Sequence, residues 1–175
     1  RSPTPLILSL DAGERRDPRW LLAFLDPDHA PQVAGYFGAW VNHVNGAPPF
    51  EDYKLFVFRR DMRKRGLIHE NVTVDIRSRG LEAHWLAPLR VEHHPEPAKH
   101  AFKTALYRER LECAIRAEPH WVRYYWFKGY MDLVAGDLPA AARALETAAE
   151  SKSALFPVEC LNASMVLAEI HARQG

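Results

Sequence analysis

The stretch from Tyr53 to Glu70, YKLFVFRRDMRKRGLIHE, constrains this chain more than any other. Tyr53, Leu55, Phe56, Val57 and Phe58 form a β-branched and aromatic block, short enough for one strand and bulky on both faces, which predicts a place in the middle of a sheet. Five basic residues follow, Arg59, Arg60, Arg63, Lys64 and Arg65, then Gly66, two aliphatics and the adjacent pair His69 and Glu70. The predicted order is strand, cationic turn, return strand, carboxylate. Guanidinium and ammonium groups beside a sheet can neutralise a phosphate-bearing ligand, and a carboxylate next to an imidazole can take a proton from a hydroxyl. The same run also has the composition of a hairpin whose charges are simply solvated.

That local charge stands against a balanced whole: 23 Lys and Arg face 22 Asp and Glu in 175 residues, a net charge of +1. A broad nucleic-acid surface is not expected from such a balance, so phosphate recognition has to be local. Cys113 and Cys160 fall in apolar helical patterns and read as small buried side chains in a reducing compartment, not as a disulfide framework. No apolar run is long enough to span a bilayer, and the start, RSPTPLILSL, lacks a signal-peptide plan. The expected location is cytoplasmic.

Along the chain, Leu6 to Leu10 read as a strand covered on both faces, ending at Asp11, Ala12, Gly13 and Glu14. Acidic side chains at the carboxyl end of such a strand lie where α/β proteins bind ligands. Asp17 and Pro18 predict a short helix carrying Trp20, Leu21, Phe24 and Leu25. From Val33 to Val44 aromatics and β-branched residues broken by Gly35 and Gly38 predict a strand with a bulge, closed by an Asn45–Gly46 turn. Val72, Val74 and Ile76 alternate as in a half-buried strand, and Leu86 to Val91 predict another that delivers His93 and His94 to the Pro95–Pro97 linker.

Beyond Pro97 alanine, leucine and charged residues dominate, and helices replace strands. Phe102, Leu106, Leu111 and Ile115 mark an apolar stripe that runs to Pro119. Tyr125, Gly129, Gly136, Ala141, Leu145 and Ala148 align with one tetratricopeptide repeat, in which small residues let two helices approach and Gly136 allows the turn. The expected fold class is α+β: a mixed-sheet domain over residues 1–97, then an all-helical, tetratricopeptide-like domain over 98–175. Trp121, Tyr124, Tyr125 and Trp126 read either as a sugar-stacking platform or as helix packing.

In this order, the strand into Asp11–Glu14, the Gly35–Tyr36 strand, the Leu55 to Arg60 strand, the Gly66 to Glu70 run GLIHE, the His93–His94 pair and the helical tail resemble bacterial family 2 glycosyltransferases of the GT-A fold that carry helical repeats. The resemblance covers nearly the whole chain. It implies transfer of a sugar from a nucleotide-diphosphate sugar to an acceptor, usually with a divalent metal, Mn²⁺ or Mg²⁺. Asp11 falls on the first position of the family's metal-binding acidic motif, Gly13 departs from its third, and Glu14 is left to supply a second oxygen. His93 or His94 falls where related enzymes place a metal-binding histidine. Glu70 takes the position of the base, with His69 orienting it or touching the diphosphate, and Arg59 and Arg60 stabilise the departing diphosphate. The family's nucleotide-binding half would precede Arg1, so the expected unit is the acceptor side, inactive alone, whose Leu6–Leu10 flank a partner or homo-oligomer covers. The alternative is a non-catalytic module whose helices present a groove to a protein partner.

Overall fold

The computed structural model describes residues 6–11, 14–15, 32–43, 48–95 and 100–174, with the side chains of 100–104 and 174 outside that description. Among the described residues five strands form one mixed sheet: β1 (Leu6–Leu8), β2 (Glu14–Arg15), β3 (Val33–Asn42), β4 (Phe50–Arg59) and β5 (Glu82–His93), in the order β1-β4-β3-β5-β2. A short helix, α1 (Thr73–Ser78), precedes β5, and the chain ends in α2 (His100–Ala117), α3 (Val122–Val134), α4 (Leu138–Glu150) and α5 (Pro157–Gln174). The α+β class is therefore observed. No helix among the described residues is long and apolar enough to cross a membrane. The expected helix after Asp17, the Asn45–Gly46 turn, Gly13, Pro97 and the side chain of Phe102 lie outside the described residues.

The chain divides into two compact units. One holds residues 1–65 and 71–100; the other holds 101–175 together with Gly66–Glu70.

In the sheet unit, β4 is interior as its two-faced bulk requires, with β1 antiparallel on one side and β3 antiparallel on the other. Tyr36 pairs with Val57 but Phe37 pairs with Leu55, so Phe56 is an extra residue on β4. This bulge sends Phe56 and Val57 into one apolar cluster with Leu89 and Val91, and Leu55 and Phe58 into another with Ala34, Met62, Val72 and Ile76. The parallel pair β3 and β5 is irregular between Val33 and Gly35 and between Phe37 and Ala39, at the two glycines. A Cβ on Gly38 would fall on the side chain and carbonyl oxygen of Leu89, so only glycine lets β5 pass there.

Cys113, read as buried, is exposed, and two expectations of secondary structure are corrected. Val72 to Ile76 lies not in a strand but at the start of α1, and Gly66 to Glu70 is not a return strand. The reason for the first is Asp75. Alternation would turn its side chain away from Val74 and Ile76, yet all three are buried, and its carboxylate accepts from the Arg63 N–H at 3.0 Å and pairs with Arg65 at 2.9 Å and Arg79 at 2.8 Å. Helical geometry satisfies that buried charge where a strand would expose it. Asn71 starts the turn by accepting the Thr73 N–H at 2.6 Å. The second correction follows from the Arg65–Asn71 bridge, which closes the base of a five-residue excursion, Gly66 to Glu70, before any ladder can propagate.

In the helical unit, Gly129 of α3 meets Leu145 of α4 so closely that a Cβ would stand 2.6 Å from Leu145 Cγ. Gly136, at φ +82°, makes the turn between these helices, and Asp137 caps α4 by accepting the Ala140 N–H at 3.0 Å. Ala141, Leu145 and Ala148 are fully buried, as are Tyr124 and Leu111.

Candidate functional site

Two places in the molecule gather the residues singled out from the sequence. The first is the rim of the sheet around Lys54. Asp11 and Glu14 bond to each other between β1 and β2: the Glu14 N–H donates to the Asp11 carbonyl at 3.0 Å, and the Asp11 N–H donates to Glu14 Oε2 at 2.7 Å. Lys54, from the middle of β4, sends its ammonium to Asp11 Oδ2 at 2.6 Å and Glu14 Oε1 at 2.8 Å. Its Nζ also lies 5.9 Å from the Trp40 ring centre and 5.5 Å from that of Phe56. Glu14 is the register partner of His93 across β2 and β5. His93 Nδ1 meets Asn42 Oδ1 at 2.5 Å, and its ring stacks on Trp40 at 5.1 Å.

Asp11, Glu14 and His93 are thus brought together, with Lys54 among them. Burial pushes the Asp11 carboxyl up, but the hydrogen bond and charge of Lys54, with Lys64 and His93, outweigh it and hold the group below the usual range. Lys54 in turn is held above its ordinary value: burial works against the charge and the two carboxylates overcome it. His94 turns elsewhere, stacking on His43 at 4.3 Å, while His43 Nε2 meets Glu92 at 2.5 Å.

A divalent cation does not fit this set as it stands. The ammonium of Lys54 sits between the two carboxylates where a cation's charge would have to be, and the Glu14 side chain is only 1% exposed. No group of three or more His, Cys, Asp or Glu able to hold a metal occurs among the described residues. The sequence reading passed over Lys54. Its signal was present: a lysine inside a strand of bulky apolar residues needs partners for its charge.

The cationic turn is organised by carboxylates rather than left to solvent. Arg59 donates to Asp61 through Nε at 3.1 Å and Nη2 at 3.0 Å, and Arg79 reaches the same carboxylate at 3.2 Å. The hydrogen bond from Arg59, helped by its charge, holds Asp61 below the usual range. Arg65 is committed to Asp75, whose carboxyl burial pushes up but which the Arg63 N–H, Arg65 and Arg79 together hold low. Arg60 is exposed at the end of β4.

The second place is the Gly66–Glu70 excursion in the helical unit. Its main chain is gripped by the first turn of α3 and the residue before it. The Leu67 N–H donates to Tyr124 Oη at 2.6 Å, and that hydroxyl donates to Glu118 Oε2 at 2.6 Å. Arg123 Nε donates to the His69 carbonyl at 3.2 Å while its Nη1 pairs with Glu159 of α5. Gly66, at φ +97°, rests against Trp121 and Tyr124, so that a Cβ would come within 3.1 Å of Trp121 Nε1. The His69 ring is stacked between Phe127 at 3.7 Å and Tyr107 at 5.4 Å, its Nε2 is buried with no hydrogen-bond partner, and its backbone is at φ +50°. Burial, reinforced by the Arg123 charge, lowers the imidazole pKa to about 4, so the ring is neutral at pH 7. Glu70 follows directly and is exposed.

This arrangement fixes the main chain that leads into Glu70, which follows an uncharged imidazole in sequence. Tyr107, Arg123, Tyr124 and Phe127 went unrecognised as its supports, because nothing local in the sequence ties them to residues some 40–60 positions earlier. Trp121 and Tyr124, considered above as a sugar platform, are packing residues: Tyr124 is fully buried and Trp121 is 9% exposed. No protein-family model matches the chain, and no curated protein matches it.

Proposed function

We propose that the chain is a glycosyltransferase, or the acceptor-side portion of one, moving a sugar from a nucleotide-diphosphate sugar to an acceptor hydroxyl. The observation that carries this reading is the conformation of His69. A non-glycine residue at φ +50°, clamped between two aromatic rings and leading straight into an exposed carboxylate, is strain held in place by its surroundings, as is common where geometry serves chemistry. Glu70 accepts the proton of the acceptor hydroxyl as its oxygen forms a bond to the anomeric carbon. The bond from that carbon to the diphosphate breaks, and its electron pair leaves with the nucleotide diphosphate.

In the complete enzyme, Glu70→Gln is expected to lower transfer by about 100-fold or more with the melting temperature unchanged. Undiminished transfer would overturn the assignment.

A second reading has its own observation. Val158, Leu161 and Met165 lie at helical spacing on α5 and are 39%, 61% and 63% exposed, a stripe suited to a protein partner in a non-catalytic module. Thermal shift separates the two: a rise in melting temperature with nucleotide diphosphates supports the enzyme, whereas a rise only with a protein partner supports the module.

A further inference from the structure

The helical unit does more for the excursion than cover it. Trp121, Arg123, Tyr124 and Phe127 belong to one stretch at the start of α3, and each meets a different point of Gly66–Glu70. Tyr107 of α2 closes the other side of the His69 ring. Two of these contacts are to the main chain, which a packing surface would not need. The Tyr124 hydroxyl accepts the Leu67 N–H and donates its own O–H to the Glu118 carboxylate, a chain of hydrogen bonds in which each bond polarises the next. Arg123 fixes the carbonyl of His69, which belongs to the peptide that leads into Glu70, and is itself fixed by Glu159 and by the Phe127 ring at 5.0 Å.

We propose that Arg123 and Tyr124 are positioning residues that hold the main chain of Leu67–His69 so that Glu70 is presented in one orientation, making the helical unit part of the catalytic apparatus. The proposal rests on the reading of Glu70 as the base. The five-residue excursion has positive φ at Gly66 and His69 and no ladder of its own beyond the bridge at its base. Its conformation is therefore set by what grips it, and both main-chain grips come from α3.

The test uses the complete enzyme with Arg123→Met and Tyr124→Phe, read by hydrogen exchange at residues 66–70 and by steady-state transfer kinetics. The expected result is exchange at Leu67 and Glu70 faster by about 10-fold or more, with kcat per folded molecule down by up to about 100-fold and KM for the donor unchanged, since misplacing a reacting group acts on kcat. A merely structural role would reduce the folded fraction and leave kcat per folded molecule alone. Unchanged exchange in both variants overturns the proposal. So does faster exchange with normal kcat while Glu70→Gln is slow, a result that leaves the base reading intact. If Glu70→Gln itself transfers normally, the base reading fails, and the exchange data still show whether Arg123 and Tyr124 hold the segment. Should Arg123→Met fail to fold through its lost pair with Glu159, Tyr124→Phe carries the test, because it removes one hydroxyl and keeps the buried ring.

Discussion

The rim around Lys54 and the pocket around His69 treat ionisable groups in opposite ways. At the rim, charge is kept and compensated: two carboxylates, Glu14 on β2 and Asp11 before it, share the one ammonium that β4 carries. In the pocket, charge is refused: two aromatic rings and a guanidinium enclose an imidazole that has no hydrogen-bond partner on Nε2. Pairing lets a polar group be buried while charged, and stacking lets one be buried only while neutral. The two designs therefore differ in what removes them. Compensated charge fails when a partner is deleted, and a neutral imidazole fails when protons are added.

The largest expected effect tests the first half of that contrast. Lys54→Met leaves the buried Glu14 carboxylate without its cation and should cost about 3 to 4 kcal/mol in urea unfolding. A loss under about 1 kcal/mol would show that the rim does not depend on pairing.

The second prediction concerns pH. His69 has a folded pKa of about 4 against an ordinary 6.5, so the unfolded chain binds a proton in that interval while the folded chain does not. Stability from this group is full above pH 6.5 and is lost as pH falls through 4, by about 3 kcal/mol in all. Asp11 and Asp75 are also depressed, from 3.8, so their contributions are full above that value and are lost only below it. Hydrogen exchange followed from pH 7 to pH 4 should show the helical unit loosening first. His69→Phe should flatten that dependence, and early loss of the sheet unit would reverse the comparison. At the alkaline end Tyr124, raised to about 12 by burial and by Glu118, contributes stability that is full below pH 10 and lost as pH rises through 12.

A smaller effect separates two glycines of positive φ. Gly66→Ala meets both backbone strain and Trp121, and should cost about 2 kcal/mol. Gly80→Ala, at φ +67° with open space around the new methyl, carries the strain alone and should cost about 1 kcal/mol. Equal losses in thermal denaturation would mean that Trp121 yields and the pocket is not tight. Smallest of all, Arg90→Ala removes an exposed guanidinium that spans Glu51 and Glu92, and should leave the melting temperature essentially unchanged.

Much of the sheet is legible in the sequence. The bulk of Tyr53–Phe58 on both faces gave an interior strand, and Gly35 and Gly38 marked the irregular stretch of β3, because β-structure burial repeats every second residue and its interruptions need glycine. The Val72–Ile76 segment was misread because its alternation is genuine but short, and a buried Asp75 with three donors outweighed it. Of the candidate residues, Asp11, Glu14 and His93 meet at the rim, whereas His94 turns to His43. Lys54 showed only as an out-of-place charge.

By itself the sequence determined the class of the fold, the switch from strands to helices near Pro97, and the turn at Gly136, all of which follow from local periodicity and backbone freedom. Tertiary structure alone decided that Lys54 would share a site with Asp11 and Glu14, and that Gly66–Glu70 would join the helices rather than the sheet. Both depend on contacts between residues some 40–60 positions apart. Such contacts are chosen by which buried donors and acceptors can be satisfied together once the whole chain has collapsed, and no local pattern encodes that choice.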